Sequence, residues 1–291
     1  MPSIPAWSVA LAAWLVAAPA WGFCRSTTCD PRKADCLRDE EGCKLTGLPL
    51  AWRTGCPGLS LSPRGTRNVD AAEVERVLSA SMASWSALSC GEPGAASFAW
   101  ARLAPSSCGV GYRRELPNAN VLLFRDDAWP HPGAENTLAF TTVTYDVATG
   151  EILDSDTEVN AAQNPLTTGD VGVKFDLQSI LTHELGHALG LSHSADPTAT
   201  MYATYDRGAT SLRTLTPDDV DAVCEAYPPD RGAPCLPTPA NGFSADCTES
   251  APPDDGGGCA LGHGSPTPPA CVACLALLLV ASRGRRRGRH A

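Results

Sequence analysis

Apolar residues between positions 69 and 88 recur every three or four places, which is the period of a helix with one buried face. The stripe consists of Val74, Val77, Leu78, Met82 and Trp85. Asp70 stands just before it and Glu73 follows three residues later, the spacing of an N-cap with its capping box. The pattern therefore predicts a helix whose Met82 and Trp85 side chains lie in the core.

Shorter apolar runs follow this helix, and their length and alternation predict β-strands. They cover residues 96–103, 120–124, 137–145 and 151–159. Two further helical patterns come next, one starting after Asp176 and one over residues 216–227. Thr216 suits the N-cap of the last helix, and Asp218 and Asp219 suit the positive end of its dipole. A helix, several strands and two more helices in this order indicate an α+β fold.

The cysteine content indicates an oxidising compartment. The chain carries 13 cysteines among 291 residues, far more than a reducing cytoplasm keeps unless they bind metal. Paired CxxC spacing is absent apart from Cys271 and Cys274, so we predict disulfides. The ten cysteines from Cys24 to Cys247 allow complete pairing, but their connectivity does not follow from spacing.

Composition divides the chain into five segments. Residues 1–22 contain an apolar run that ends in small residues and are predicted to be a signal peptide, with a buried N-terminal helix as the alternative. Residues 23–46 form a cysteine-rich segment too short for its own core, and residues 47–229 form a globular block. Residues 230–269 are rich in Pro, Gly and Ser, which is typical of a linker, and residues 270–291 combine an apolar run with an arginine-rich end.

Charge excludes one class of partner. The net charge is −10 at neutral pH, and five arginines lie in the last nine residues. Without its two ends the chain has 17 basic and 32 acidic residues, a net charge of −15. Such a surface repels phosphate backbones, so we expect no nucleic-acid partner.

One stretch holds three of the six histidines, HELGHALGLSH at residues 183–193. On a helix, His183 and His187 lie roughly 40° apart on one face, a spacing that suits two nitrogen ligands of one Zn²⁺. Glu184 points to the flank, where it can act as a general base without taking a ligand position. Gly190 can end the helix in a left-handed conformation and turn His193 back towards the metal. Three nitrogens leave one coordination position open, which is typical of a catalytic zinc.

The motif HExxHxxGxxH followed by a methionine resembles the metzincin metalloproteases, and within them the matrixins. Ser194 and the sequence MYATY at residues 201–205 are matrixin-like, and the similarity is good over residues 170–228. The resemblance implies a metzincin-like zincin with a mixed twisted β-sheet, an active-site helix and a C-terminal helix. It also implies site roles: His183, His187 and His193 as zinc ligands, Glu184 as the base, Gly190 and Met201 as structural support, and Tyr205 near the substrate pocket.

Some features of the matrixin pattern are missing. His131 is the only other histidine of the globular block, so we do not predict the family's second, structural zinc site. The inhibitory propeptide is not recognisable either. One of the cysteines 24, 29, 36 or 43 could block the zinc as a thiolate, although a plain disulfide is the favoured interpretation.

A second cation is a weaker hypothesis. Asp154, Asp156 and Glu158 lie on one side of a predicted strand and are candidate Ca²⁺ ligands. A solvated edge strand is the favoured interpretation of the same pattern.

The C-terminus resembles the sorting tails of myxobacterial surface proteins. It has a Gly-rich stretch with Cys259, an apolar run at residues 270–282 and an arginine cluster. As a helix the run would be about 20 Å long, short of a hydrocarbon core of roughly 30 Å. The resemblance implies processing near Cys259 and only transient membrane association, whereas a weak permanent anchor is the alternative.

These features together predict a secreted or surface-displayed zinc-dependent endopeptidase that acts as a monomer on protein or peptide substrates. The alternative is a catalytically silent, zinc-binding adhesion or scaffold protein of the same fold. Glu184 favours the enzyme, since metal binding alone does not need that carboxylate.

Overall fold

The structure is a computed structural model that describes residues 22–86, 88–92 and 94–247, together with the backbone of residues 270–280. Residues 1–21, nearly all of the predicted signal peptide, lie outside the described residues. The predicted processing region around Cys259 and the arginine cluster after residue 280 lie outside them as well.

The described residues form nine strands and three α-helices. The strands are β1 (Gly58–Leu61), β2 (Ala101–Arg102), β3 (Val121–Arg125), β4 (Thr137–Asp146), β5 (Ile152–Asn160), β6 (Leu166–Thr167), β7 (Phe175–Asp176), β8 (Thr204–Tyr205) and β9 (Ala270–Val280). The helices are α1 (Ala71–Trp85), α2 (Leu177–Ala188) and α3 (Pro217–Ala226). The predicted α+β class is confirmed.

Seven strands make one mixed sheet in the order β2-β1-β3-β5-β4-β9-β8, and β6 pairs with β7 separately. The pairs β1–β2, β1–β3 and β3–β5 are parallel, whereas β4 runs antiparallel to β5. Three of the predicted strands correspond to β3, β4 and β5. The fourth, predicted over residues 96–103, is confined to Ala101–Arg102, and β1 was not predicted because four residues, one of them glycine, carry almost no periodic signal.

Helix α1 matches its predicted pattern. Asp70 is the N-cap, and its carboxylate accepts a hydrogen bond from the backbone N–H of Ala72. Glu73 does not complete a capping box; its carboxylate pairs instead with Arg76, one turn further along. The apolar stripe is buried, and Nε1 of Trp85 donates to the carbonyl of Thr182 at 2.7 Å, which fixes α1 against α2.

The cysteine-rich segment is closed by disulfides and docked onto the domain. Cys24 is bonded to Cys43 and Cys29 to Cys36, so the predicted disulfides are confirmed and the thiolate hypothesis is wrong for all four cysteines. The segment has no core of its own. Backbone hydrogen bonds join it to the loop after α2, where the N–H of Ser26 donates to the carbonyl of Gly190 at 2.9 Å.

The packed domain continues past residue 229, where the sequence predicts a linker. Cys235 is bonded to Cys56 beside β1, and Cys247 to Cys108 beyond β2. Backbone hydrogen bonds also tie this stretch to the sheet side of the domain, as where Asn118 donates to the carbonyl of Gly242. A fifth disulfide joins Cys90 to Cys224 of α3, which completes the predicted pairing of ten cysteines.

The apolar run at the C-terminus is a strand, and its prediction as a helix is wrong. Strand β9 pairs antiparallel with β4 and parallel with β8. The backbone N–H and C=O groups on the edge of β4 away from β5 need hydrogen-bond partners, which a strand provides and a helix does not. This pairing overrides the local helical preference of residues 270–280. None of the helices in the described part of the chain is long and apolar enough to cross a membrane.

Candidate metal centre

Helix α2 begins at a buried anchor. The carboxylate of Asp176 accepts from the backbone N–H of Ser179 at 2.8 Å, as an N-cap does, and also pairs with Arg213. Leu181 and Leu185 are buried in the core, as their spacing predicts. His183 and His187 are buried too, so α2 is covered on both faces and its histidines do not line an exposed surface.

Gly190 ends the helix as predicted. Its φ of 87° lies in the left-handed region, and its N–H donates to the carbonyl of His187 while that of Leu191 donates to Gly186. These two bonds form a Schellman motif. A Cβ at position 190 would lie 2.4 Å from the carbonyl oxygen of Leu50, so glycine is required both for the turn and for the close approach of the neighbouring segment.

The turn brings the third histidine to the first two. His183, His187 and His193 each offer a ring nitrogen, and these atoms lie within 4.8 Å of one another. Among the residues that the structure describes, no other group of three histidine, cysteine or acidic side chains converges in this way. The histidine cluster is therefore the one candidate metal site in this part of the chain.

The hydrogen bonds of the imidazoles suit metal binding. Nδ1 of His183 lies 2.6 Å from the carbonyl oxygen of Thr200, and Nδ1 of His187 lies 3.0 Å from that of Leu191. A carbonyl accepts only, so Nδ1 carries the proton and Nε2 keeps a lone pair. The Nε2 atoms of all three histidines are buried without a partner. Buried, unpartnered nitrogens with a fixed tautomer fit a bound Zn²⁺.

Burial keeps the three rings neutral. It lowers the pKa of His183 to about 3, with the nearby His193 acting in the same direction. It lowers the pKa of His193 to about 4, and that of His187 falls well below its usual value for the same reason. Neutral imidazole is the form that binds a metal.

Glu184 lies in the same buried region and is held by a residue that the sequence did not indicate. The hydroxyl of Thr141 in β4 donates to its Oε2 at 2.6 Å, and Oε1 is buried without a partner. Burial raises the pKa of Glu184 to about 8, while the Thr141 hydrogen bond acts in the opposite direction. No spacing rule connects positions 141 and 184, because only the packing of β4 on α2 brings them together.

Met201 packs directly against α2. A Cβ at Gly186 would lie 2.2 Å from Sδ of Met201, so the glycine inside the HELGH motif leaves room for the methionine. The carboxylate of Asp219 accepts from the backbone N–H groups of Thr200 and Met201 at 2.8 and 3.0 Å. Asp219 thereby holds the loop whose Thr200 carbonyl orients His183. The sequence indicated this residue only as an acid near the start of α3.

Tyr205 is buried, and its hydroxyl is used in structural contacts. It donates to the carbonyl of Ala209 at 2.7 Å and accepts from the N–H of Asp176 at 2.9 Å. The residue therefore links the loop after Met201 to the start of α2. Its role beside a substrate pocket stays a prediction.

The three candidate Ca²⁺ ligands are not brought together. Asp156 accepts from the N–H groups of Gly111 and Val121, and Glu158 pairs with Arg125 and His131. Strand β5 lies between β3 and β4 with all three carboxyl groups buried, so the solvated edge strand is wrong. Asp154 remains as a buried carboxyl group that accepts no hydrogen bond from an N–H or hydroxyl group.

Comparison with known proteins agrees with this geometry. The Matrixin family model matches residues 64–228. Human Matrix metalloproteinase-20 is 40% identical over 114 residues, which cover 38% of this chain and 22% of the relative. Human Matrilysin is 35% identical over 101 residues, 35% of each chain. Metalloendoproteinase 1-MMP of Arabidopsis thaliana is 46% identical over 61 residues, 21% of this chain and 16% of the relative. The matches thus span about a third or less of these relatives.

Proposed function

The chain belongs to the matrixin family, whose model matches more than half of it, and from this membership we propose that it is a secreted or surface-displayed zinc-dependent endopeptidase. The observation that carries the proposal is the set of three buried imidazole nitrogens without partners, next to a buried glutamate oxygen in the same condition. The names of its relatives, a matrix metalloproteinase and a metalloendoproteinase among them, support proteins as substrates.

His183, His187 and His193 would hold a single Zn²⁺ through their Nε2 atoms. A zinc ion bound there supplies Lewis acidity, which activates water and polarises a peptide carbonyl group. The carbonyls of Thr200 and Leu191 keep two of the rings in the orientation that this binding needs.

Glu184 would act as the general base. Thr141 occupies its Oε2, so Oε1 is the atom left to take a proton from the attacking water and return it to the leaving amine.

Export is supported by the disulfides. Five of them join the ten cysteines between residues 24 and 247, a pattern expected outside a reducing cytoplasm. The predicted signal peptide at residues 1–22 would direct the chain out of the cytoplasm, and the C-terminal sorting tail would contact the membrane only transiently during export. The exported protein would act as a monomer.

Glu184→Gln tests the function. The substitution keeps the shape and removes the base, so we expect hydrolysis of casein or gelatin to fall by about 10²–10⁴-fold. A single zinc ion per chain, measured by atomic absorption, should remain bound in both proteins. A variant as active as the wild type would remove Glu184 from the mechanism, and wild-type hydrolysis that survives a zinc chelator would overturn zinc dependence.

A further inference from the structure

Strand β9 fills the space between two parts of the candidate metal centre. On one side it pairs antiparallel with β4, from Thr137 opposite Leu279 to Asp146 opposite Ala270. On the other side it pairs parallel with β8, where Thr204 lies opposite Leu279. Both neighbours belong to the surroundings of the three histidines.

Strand β4, which pairs with β9, contacts the proposed base directly. Thr141 of β4 donates to Glu184 and lies opposite Leu275 of β9 in the strand register. The β8 side begins three residues after Met201, whose loop orients His183. Strand β9 therefore runs beside the residue of β4 that holds Glu184 and, four residues further on, beside the segment that follows Met201.

An extended segment at a sheet edge is also a general way in which proteins bind peptides. The backbone groups on the outer edge of β4 are the ones a bound substrate chain could use, and β9 already uses them. In agreement, the Nε2 atoms of the three histidines and Oε1 of Glu184 are out of contact with solvent. Peptide hydrolysis requires that water and the scissile bond reach these atoms.

We propose that residues 270–280 are an internal inhibitor, which occupies the substrate-binding edge of β4 and is displaced or removed when the enzyme becomes active. This regulation rests on the proposed endopeptidase function. It assigns to the C-terminal run a role inside the folded protein, in addition to any role in export.

The connection to the rest of the chain allows β9 to bind and to leave. Residue 247 is fixed on the β1–β2 side of the sheet by its disulfide to Cys108, and β9 lies five places from β2 in the strand order. Five strand spacings amount to roughly 24 Å. The 22 residues from 248 to 269 can extend to at most about 75 Å, so the connection does not force the strand into place.

Disrupting the strand should raise activity. In the full chain, Val272→Pro/Ala273→Pro removes two adjacent N–H donors where the register with β4 is regular, opposite Thr144 and Val143. Neighbouring N–H groups of a strand point to opposite sides, so one of the two faces β4. We expect hydrolysis of a soluble peptide at low concentration to rise by about tenfold or more, because a tethered segment competes at a high effective concentration. The rise should shrink as substrate approaches saturation, since both compete for one edge. Leu261→Pro/Gly262→Pro, upstream of the strand, is the matched control and should behave as wild type.

The outcomes separate the two proposals. Equal, measurable rates for wild type and the Val272→Pro/Ala273→Pro chain would overturn the inhibitor and leave the endopeptidase function intact. No hydrolysis by either chain with zinc bound would overturn the endopeptidase function, and the inhibitor with it.

A cross-link tests the placement without an activity measurement. Thr142 lies opposite Cys274 in the β4–β9 register, and directly opposed residues of antiparallel strands have Cα separations that a disulfide can bridge. We expect Thr142→Cys to give a disulfide to Cys274, found by mass spectrometry of a non-reduced digest. Thr144→Cys, two residues along the same strand and opposite Val272, should give far less of it. Equal yields from the two positions would overturn the placement of β9.

Discussion

Asp154 is a buried carboxyl group whose oxygens have no N–H or hydroxyl donor to stabilise a negative charge. It is 1% exposed, neither oxygen accepts a hydrogen bond from an N–H or hydroxyl group, and the carboxyl of Asp156 lies beside it. Burial and the neighbouring charge raise the pKa of Asp154 well above its usual value, and burial raises that of Asp156 to about 6. In the unfolded chain both titrate near pH 4.

The sign of the pH dependence follows from these shifts. Between about pH 4 and pH 6 the unfolded chain has released protons that the folded protein still holds. The free energy of unfolding therefore falls as the pH rises through this window, and the loss persists at neutral pH. This is opposite to the behaviour of a carboxylate that is stabilised by an ion pair.

Asp154→Asn should stabilise the protein at neutral pH. The amide keeps the shape, carries no charge and can donate to Asp156, so we expect a gain in the free energy of unfolding at pH 7 that disappears below about pH 4. Urea unfolding at several pH values measures it, with the exposed Asp206→Asn as a control that should leave the curve unchanged. A variant less stable than wild type in millimolar Ca²⁺ would instead show that Asp154 binds the cation.

The metal centre depends on a contact between α3 and the loop around Met201. Asp219 accepts hydrogen bonds from Thr200 and Met201 and also from the N–H and hydroxyl of Thr216. One carboxylate therefore caps α3 and fixes the loop that orients His183.

Asp219→Ala should weaken both the fold and zinc binding. Several buried donors would lose their acceptor, at about 1–3 kcal/mol for each one left unsatisfied. We expect a loss of at least about 3 kcal/mol in the free energy of unfolding, together with a weaker zinc affinity in competition with a chromogenic chelator. The matched control is Asp221→Ala, an exposed acid on the same helix. An unchanged zinc affinity would limit Asp219 to capping α3.

The sequence predicted those elements whose signals are local. The two histidines of α2, the glycine turn and the approach of His193 follow from spacing within eleven residues, so the motif alone anticipates their geometry. The hydrogen bond from Thr141 to Glu184 spans 43 positions and has no local signature. Strand β9 was missed for a related reason, because its conformation is set by the free edge of β4 and not by its own composition.

The five disulfides between residues 24 and 247 restrict the unfolded chain to very different degrees. The bond between Cys90 and Cys224 closes a loop over 134 positions and reaches α3, whereas that between Cys29 and Cys36 spans only seven. The chain-entropy argument gives a larger stabilisation for the longer loop.

Removal of these two bonds should therefore cost different amounts. With the Cys108–Cys247 bond intact, the shortest loop that the Cys90–Cys224 bond closes covers about 40 positions. We expect Cys90→Ala/Cys224→Ala to lose about 4 kcal/mol in the free energy of unfolding, and Cys29→Ala/Cys36→Ala about 2.5 kcal/mol. Urea titrations of the two variants against the wild type provide the comparison. Equal losses would mean that contacts within the folded protein, and not loop closure, decide the contribution of each bond.

The disulfide between Cys108 and Cys247 also fixes the point from which the last segment extends. While residues 248–269 are intact, the inhibitor and its site belong to one molecule, so dilution of the protein leaves their encounter rate unchanged. A single cut in that stretch turns the encounter into one between two molecules, whose frequency falls with concentration. The same cleavage would thus have little effect where the protein is concentrated and a large effect after its release into a dilute medium. The activity of the cleaved enzyme would therefore depend on the volume into which it is released.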